Sequence, residues 1–207
     1  MRIVALIPAR ANSKRIRKKN KKKLLGLPLI TWTIKTAKKV KELSDIYVST
    51  DDEKIIQICK KLKVKVPWKR PKSLSSDTTS SSDVALHFLD WYEKKISKID
   101  GLLLLQPTSP FRKKSSIQKA IKLFNRNRNK AIVSFSPFNK FNKNKKELNL
   151  IDLVKLNGSI FLTSPKNIRK YKSFFKPKIL PLILNSFEES IDIDTHEDWN
   201  IAKRMKV

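Results

Sequence analysis

The chain has 207 residues, of which 40% are hydrophobic, so it can bury a core and is too apolar to be generically disordered. Its one cysteine, Cys59, excludes an internal disulfide and a zinc site made of several cysteines, and it suits a reducing cytoplasm. Three isolated glycines exclude a GxGxxG or Walker A loop, and no apolar run is long enough to cross a bilayer. We therefore expect a cytoplasmic protein with a single domain over 1–207.

Charge is the strongest compositional feature, because 47 basic and 18 acidic residues give a net charge of +29. Such a charge is typical of nucleic-acid binding. The lysines are nevertheless spread along the chain, and only Lys14–Lys23 forms a basic block. Such a spread is also typical of proteins from a lysine-rich proteome, in which lysines occupy solvated helix faces. A nucleic-acid-binding protein that uses this block remains the alternative to an enzyme with an anionic substrate.

Strand and helix patterns alternate along the first half of the chain. Ile3–Ile7 is a continuous β-rich run that predicts a strand covered on both faces, and Pro8 interrupts it too early for a signal peptide. The patterns that follow predict a helix over 30–40, a strand at Ile46–Ser49, a helix opened by a capping box of Thr50 and Glu53, and a strand at Val64–Val66.

The same alternation continues in the second half. In chain order it predicts a polar loop over 69–82, a helix over 85–96, a strand at Leu102–Leu105, a helix over 117–124, strands at Ala131–Phe135, Ser159–Thr163 and Ile179–Leu184, and a last helix opened by Thr195. Residues 137–157 include an Asn- and Lys-rich stretch without periodicity, which predicts a short arm or loop. The fold class is therefore α/β, with a mostly parallel, twisted sheet and helices on both faces.

Functional side chains in such a sheet gather in loops at the carboxyl ends of the strands. The loop after the first strand carries Arg10, Ser13 and Lys14. These groups suit a triphosphate, because arginine holds two oxygens at once and lysine adds a point charge. A solvated basic loop explains the same composition equally well.

Two later loops carry oxygen-rich side chains. Asp192 and Asp194 project to the same side of an extended backbone, and paired carboxylates suit Mg²⁺, although aspartate is also common before a helix. Gln106, Thr108 and Ser109 are uncharged hydrogen-bonding residues flanked by prolines. They suit a polyhydroxylated substrate, and a plain turn is the alternative.

In chain order, these segments resemble those of the CMP-sialate synthetases, or acylneuraminate cytidylyltransferases. The segments that carry the resemblance are Ile7–Lys14, Lys19–Asn20, Gly26–Ile30, Val48–Asp51, Arg70–Pro71, Asp77–Thr78, Ser80–Asp83, Leu104–Pro110, Asn157–Gly158 and Asp192–Thr195. They extend over nearly the whole chain, so the resemblance is more specific than any one motif.

The resemblance implies a Rossmann-like nucleotidyltransferase fold and transfer of CMP from CTP to the anomeric hydroxyl of a nonulosonic acid, with release of pyrophosphate. The acceptor would be sialic acid or a relative such as legionaminic acid, and the cofactor Mg²⁺ or Mn²⁺. The expected partners are CTP, the nonulosonic acid and a second copy in a homodimer, with no membrane and no specific nucleic acid. A degenerate relative that binds nucleotide without turnover is a further alternative.

The resemblance also implies roles for individual residues. Catalysis would depend on Arg10, Lys14, Asp192 and Asp194, and the last two would also be the metal ligands. The triphosphate would bind Arg10, Ser13, Lys14 and Lys19, and the cytidine would bind Asn20, Arg70 and Ser81 or Ser82. The sugar acid would bind Gln106, Thr108 and Ser109. The chain departs from the family pattern in two places. Arg17 replaces a usual proline, and Leu150–Leu156 lacks the arginine that can hold the sugar carboxylate. Lys140 or Lys155 is the candidate to bind that carboxylate instead.

Overall fold

The computed structural model describes residues 1–137 and 154–206. Its strands are β1 (Ile3–Pro8), β2 (Lys23–Leu24), β3 (Leu27–Pro28), β4 (Asp45–Ser49), β5 (Gly101–Leu104), β6 (Ala131–Pro137), β7 (Val154–Thr163) and β8 (Ile179–Ile183). Its helices are α1 (Leu29–Lys38), α2 (Glu53–Lys61), α3 (Ser81–Lys95), α4 (Lys114–Arg126), α5 (Pro165–Tyr171), α6 (Phe187–Ser190) and α7 (His196–Lys203). Short 3₁₀ helices cover Lys19–Lys21 and Lys72–Leu74.

Six strands form one sheet in the order β4-β1-β5-β7-β6-β8, and β2 and β3 form a separate hairpin. Strand β1, which is second from one edge, is parallel to its neighbours β4 and β5, and β6 is parallel to β8. Only β7 runs antiparallel to its neighbours β5 and β6 within this sheet. The predicted α/β fold with a mostly parallel sheet is confirmed.

Both faces of the sheet are covered by helices, as the continuous apolar run of β1 predicts. Ile3, Ala5 and Ile7 belong to a core that includes residues of α1, α2 and α4. Val4 and Leu6, which point to the opposite face, belong to a core that includes residues of α3 and α5. The carboxyl end of β1 is therefore held between two packed layers.

A third, smaller core lies beside the sheet and joins the two ends of the chain. Ile16 and Leu24 from the N-terminal part pack there with Ile191, Ile193 and Trp199. Because Ile191 and Ile193 are buried, the alternating positions 192 and 194 face the other way. This packing fixes the direction of the two aspartates.

Two predicted elements are wrong in detail. Val64–Val66 is not a strand, since only isolated bridges at Lys65 and Lys69 connect this region to its neighbours. Pro67 has no N–H with which to extend a ladder. The predicted capping box is also wrong, because α2 is capped by Asp52, whose Oδ1 accepts from the backbone N–H groups of residues 54 and 55 at 2.8 and 3.3 Å.

The predicted arm or loop over 137–157 is shorter than expected. Pro137 ends β6 and Val154 begins β7, so residues 154–157 belong to a strand. The rest of that prediction, including Lys140, lies outside the described residues. Within residues 1–137 and 154–206, no helix has the length and apolar character needed to cross a membrane.

The capping role of Asp52 leads to a stability prediction. The buried carboxylate caps α2 and also pairs with Lys21 of the first 3₁₀ helix. Asp52→Ala removes the cap and leaves Lys21 without this carboxylate, so we expect a loss of roughly 1–3 kcal/mol in the free energy of unfolding, measured with urea. Glu53→Ala, at the neighbouring exposed position, should cost no more than about 0.5 kcal/mol. Equal losses in the two variants would contradict the assigned cap.

Candidate functional site

A cleft of about 450 Å³ lies at the carboxyl ends of β1 and β5. Its walls come from four segments that are far apart in sequence, at 8–20, 70–84, 106–108 and 192–194. The predicted site residues that line it are Arg10, Ser13, Lys14, Lys19, Asn20, Arg70, Ser81, Gln106, Thr108, Asp192 and Asp194. The structure thus brings together most of the residues that the loops were expected to supply.

Two cations of the first loop, residues 9–20, converge on one carboxylate. Arg10 Nη1 lies 2.6 Å from Asp77 Oδ1, and Lys14 Nζ lies 3.3 Å from Asp77 Oδ2. Arg10 also donates to the carbonyl oxygen of Ser76 at 3.0 Å. The carboxylate of Asp77 lies where an anionic oxygen of a ligand could bind the same two cations. The side chains of Arg10 and Lys14 are partly exposed and so can turn from Asp77 to such a ligand.

Lys19 connects the first loop to residues 191–195, here called the C-terminal segment. Its ammonium donates to the carbonyl oxygen of Ile193 at 2.6 Å and to Asp194 Oδ1 at 2.9 Å. Lys19, which was predicted to bind the triphosphate, therefore already donates to two acceptors within the protein. Asn20, the next residue, donates from Nδ2 to the carbonyl oxygen of Arg10 at 3.0 Å and so stabilises the loop itself.

Arg70 is a buried cation with unused donors. Its Nε and Nη2 have no hydrogen-bond partner in the described residues, and the nearest carboxylate oxygen, Asp51 Oδ1, is 3.6 Å from Nη2. Asp51 Oδ1 also accepts from the backbone N–H of Ala11 at 2.7 Å. Burial lowers the pKa of Arg70 despite the opposing charge of Asp51. A buried donor without an acceptor is costly, so this side chain suits the carbonyl oxygen of a bound base.

The residues predicted to bind a sugar lie over a glycine. A Cβ at Gly158, where φ is +65°, would lie 2.9 Å from Gln106 Oε1 and 3.1 Å from Asp192 Oδ2. The missing side chain lets Gln106 and Asp192 meet at the bottom of the cleft. Thr108 is joined to the C-terminal segment, because its carbonyl oxygen accepts from the N–H of Ile193 at 2.8 Å.

Asp192 has the environment of an unused ligand. Its Oδ1 is buried without a hydrogen-bond partner in the described part of the chain. Burial raises the pKa of Asp192 against the opposing effect of Thr108, and the charge of Asp194 adds to the rise. Carboxylate oxygens of this kind fit Mg²⁺. No group of three or more His, Cys, Asp or Glu residues capable of holding a metal occurs in residues 1–137 and 154–206. A metal ion here would therefore take further ligands from substrate oxygens and water.

Three predicted site residues do not line the cleft, and a fourth lies outside the described residues. Ser82 is buried one position beyond Ser81 on α3, where the helical turn carries it away from the cleft. Ser109 is buried and donates to the carbonyl oxygen of Asn157 at 3.3 Å, so it supports the backbone. Lys155 is exposed on β7, where its charge helps to lower the pKa of Asp198. Lys140 lies outside the described residues.

Sequence analysis missed Arg112, which is 2% exposed and lies beneath the cleft. It donates to the carbonyl oxygens of Gln106 and Ser159, both at 2.8 Å. Burial lowers the pKa of Arg112 to about 9. The only signal in the sequence for its role is its position two residues after the Gln106–Pro110 segment, which was already assigned to the site. Its burial depends on β7, which joins it from nearly fifty residues away.

The basic block is divided between two surfaces. Lys14, Arg15 and Lys19 line the cleft. Other members line a separate groove of about 590 Å³ beside α2, together with residues of that helix: Arg17, Lys18, Lys21, Lys22, Lys54, Gln57, Ile58 and Lys61. No aromatic ring is among these lining residues, so the groove lacks the stacking platform of single-strand binding proteins.

Comparison with known proteins identifies the family. The sequence profile of the cytidylyltransferase family matches residues 4–201. The chain belongs to this family. The CMP-N,N'-diacetyllegionaminic acid synthase of Legionella pneumophila is 38% identical over 99% of this chain and 96% of its own length. The resemblance drawn from the loop motifs is therefore confirmed.

Two further comparisons place this cytidylyltransferase among its relatives. The N-acylneuraminate cytidylyltransferase of Escherichia coli is 30% identical over 97% of the chain, which spans about half (51%) of that relative. A solved structure of CMP:2-keto-3-deoxy-manno-octonic acid synthetase complexed with CTP has a TM-score of 0.77 at 14% identity. It covers 98% of this chain and 97% of its own, and at that identity it supports the fold alone.

The two aspartates of the cytidylyltransferase should respond oppositely to neutralisation. The pKa of Asp192 is raised in the folded state, so its stabilising contribution is present below the unfolded pKa and lost as pH rises through the folded value. At pH 7 without metal, Asp192→Asn should therefore raise the Tm. Asp194→Asn should lower the Tm, because it removes the carboxylate from the buried ammonium of Lys19.

Thermal melts at pH 7 and pH 4 in the presence of a chelator test this pair. The gain from Asp192→Asn should shrink at pH 4, because the carboxyl with its raised pKa is more protonated there than at pH 7. A destabilised Asp192→Asn at pH 7 would show that its carboxylate has a structural partner.

Proposed function

We propose that the protein transfers CMP from CTP to the anomeric hydroxyl of a nonulosonic acid of the legionaminic or sialic type and releases pyrophosphate. The observation that carries the proposal is the convergence in one cleft of partly exposed cations, a buried arginine with unused donors and the acceptor loop (residues 106–112). This loop lies beside Asp192, whose Oδ1 has no hydrogen-bond partner in the described residues. Membership of the cytidylyltransferase family and the 38% identity to a CMP-diacetyllegionaminic acid synthase support it.

The triphosphate would bind at the first loop. Arg10 and Lys14, with Ser13 between them, would exchange the carboxylate of Asp77 for phosphate oxygens, since all of these residues line the cleft. A charge-assisted contact of each cation with the phosphates positions the α-phosphorus and offsets the charge that develops as pyrophosphate leaves. The same groups of the first loop would thus bind CTP and accelerate the transfer of CMP.

The cytosine base would lie between the first loop and the start of α3. Arg70 offers unused N–H donors there, and Ser81 lines the same wall. Asn20 would contribute chiefly by holding the backbone at Arg10, because its amide already donates to that carbonyl oxygen. A base carbonyl would satisfy the Arg70 guanidinium, and this gain favours the correct base over one without an acceptor at that place.

The sugar acid would bind at Gln106 and Thr108, with its anomeric hydroxyl directed toward the α-phosphorus for in-line attack. Asp192 and Asp194 are the residues that would hold Mg²⁺ beside the phosphates. When bound, Mg²⁺ supplies charge neutralisation on the triphosphate and the leaving pyrophosphate. Lys19 keeps Asp194 in place from the other side through its 2.9 Å contact.

The location and assembly of the protein are parts of the same proposal. Cytoplasmic localisation follows from the use of a nucleoside triphosphate. Strand β8 has a neighbour on one side only within the described sheet. Its residues Ile179 and Ile183 are exposed, as is Phe187 at the start of α6. Exposed apolar side chains at a strand edge favour a homodimer. Light scattering of the purified chain gives the oligomeric mass.

A substrate panel tests the proposed function. The protein is incubated with CTP, Mg²⁺ and a series of nonulosonic acids, and pyrophosphate and the CMP-sugar are measured together. We expect release that depends on both substrates and is abolished by a chelator. CTP binding without turnover on any acceptor would indicate a degenerate relative. Sequence-specific nucleic-acid binding that survives physiological salt would favour the alternative function.

A pair of arginine variants tests whether the cleft, and not the general charge, binds CTP. Arg10→Ala removes a cation from the cleft, whereas Arg17→Ala removes one from the separate groove. The first should lower kcat/KM for CTP by roughly 1.5–3 kcal/mol of transition-state stabilisation, and the second should leave it nearly unchanged. Equal losses would mean that the first loop is only a basic surface.

A further inference from the structure

Arg112 occupies a position that the proposed mechanism does not use. We propose that Arg112 is the positioning residue of the acceptor loop, residues 106–112: it acts through the backbone of Gln106 to orient the sugar-acid contacts without touching either substrate. This inference rests on the proposed function and extends it to a residue that does not line the cleft.

The guanidinium of Arg112 joins three elements of the fold. Nη2 donates to the carbonyl oxygen of Gln106 at 2.8 Å, at the start of the acceptor loop. Nε donates to the carbonyl oxygen of Ser159 at 2.8 Å and to its hydroxyl at 3.1 Å, on β7. Nη1 points to the hydroxyl of Thr33 on α1, at 3.4 Å. The contacts with Gln106 and Ser159 together fix the distance between the acceptor loop and β7.

That distance decides where the Gln106 side chain lies. Its Oε1 lies over Gly158, the residue directly before Ser159, where an added Cβ would be only 2.9 Å from it and would displace the amide. The same loop holds the C-terminal segment through the 2.8 Å bond from the N–H of Ile193 to the carbonyl oxygen of Thr108. A shift of the loop relative to β7 would therefore move Gln106 and Thr108 together.

A planar fork is required for this connection. Nε and Nη2 are separate nitrogens of one rigid group and reach two carbonyl oxygens on different segments, which a single ammonium cannot do with the same geometry. The charge is compensated from two sides, because Glu189 and Asp192 both favour the ionised guanidinium. Arg112 is thus placed where its shape, and not only its charge, matters.

The contacts of Arg112 also provide a matched control. Thr33 is completely buried and bonds the guanidinium from the α1 side, away from the acceptor loop. Thr33→Val keeps nearly the same volume and removes this one acceptor. It should lower stability without moving Gln106. Arg112→Lys keeps the charge and removes the fork.

Steady-state kinetics of the full chain test the inference. In Arg112→Lys we expect the KM for the sugar acid to rise about tenfold or more while the KM for CTP stays within about twofold. Thr33→Val should leave both values within about twofold, and Gln106→Ala should resemble Arg112→Lys. Because KM does not depend on the amount of folded enzyme, partial misfolding of Arg112→Lys would lower the apparent kcat without imitating this pattern.

Other outcomes overturn the inference. Equal rises in both KM values, or an unchanged sugar-acid KM, would mean that Arg112 only supports the fold. If Arg112→Lys is insoluble, Ser159→Ala removes one acceptor of Nε and should raise the sugar-acid KM about threefold, and no rise would count against the proposal. Calorimetric titration of the sugar acid gives the same comparison without turnover. An unmodified protein that neither turns over nor binds a sugar acid overturns the proposed function as well.

Discussion

The cleft depends on the contact between Lys19 and the C-terminal segment. Its ammonium, on a side chain that is 9% exposed, donates to the carbonyl oxygen of Ile193 and to the carboxylate of Asp194. Ile193 is buried in the small third core, which fixes the backbone on the other side. Residues that are more than 170 positions apart are thereby held in one wall. Because the ammonium of Lys19 is buried while the carboxylate of Asp194 is half exposed, loss of these acceptors would leave a buried charge alone, which is costly.

The few acidic residues of this basic chain are concentrated where its cations are needed. Asp77 pairs with Arg10 and Lys14, Asp52 pairs with Lys21, and Asp51 lies near Arg70. Self-repulsion within the first loop is reduced in this way, while the net positive field that attracts a triphosphate is retained. These three aspartates thus help a chain of charge +29 to form an ordered cationic cleft.

A buried polar network supports the bottom of the cleft. Asn157 accepts from the Ser134 hydroxyl at 2.6 Å and donates to the Ser136 hydroxyl at 2.8 Å, next to an irregularity in the pairing of β6 and β7. Each of these polar groups has a partner, and a fully satisfied network makes a rigid layer at little cost. Gly158 and Ser159 follow directly in β7, so the network supports the part of the strand that Gln106 and Arg112 contact.

The sequence by itself determined the layer architecture and the loops that carry the site. Continuous, β-rich apolar runs such as Ile3–Ile7 predicted strands buried on both faces, and motif order was enough to indicate the family. Sequence reasoning failed where the answer depended on distant partners. Asp52 displaced Thr50 as the helix cap, and Arg112 became a buried support through β7. Only the tertiary structure decided which charges pair and which donors remain free in the described residues. A local sequence pattern specifies residue types and their spacing, but it does not specify which side chains become buried.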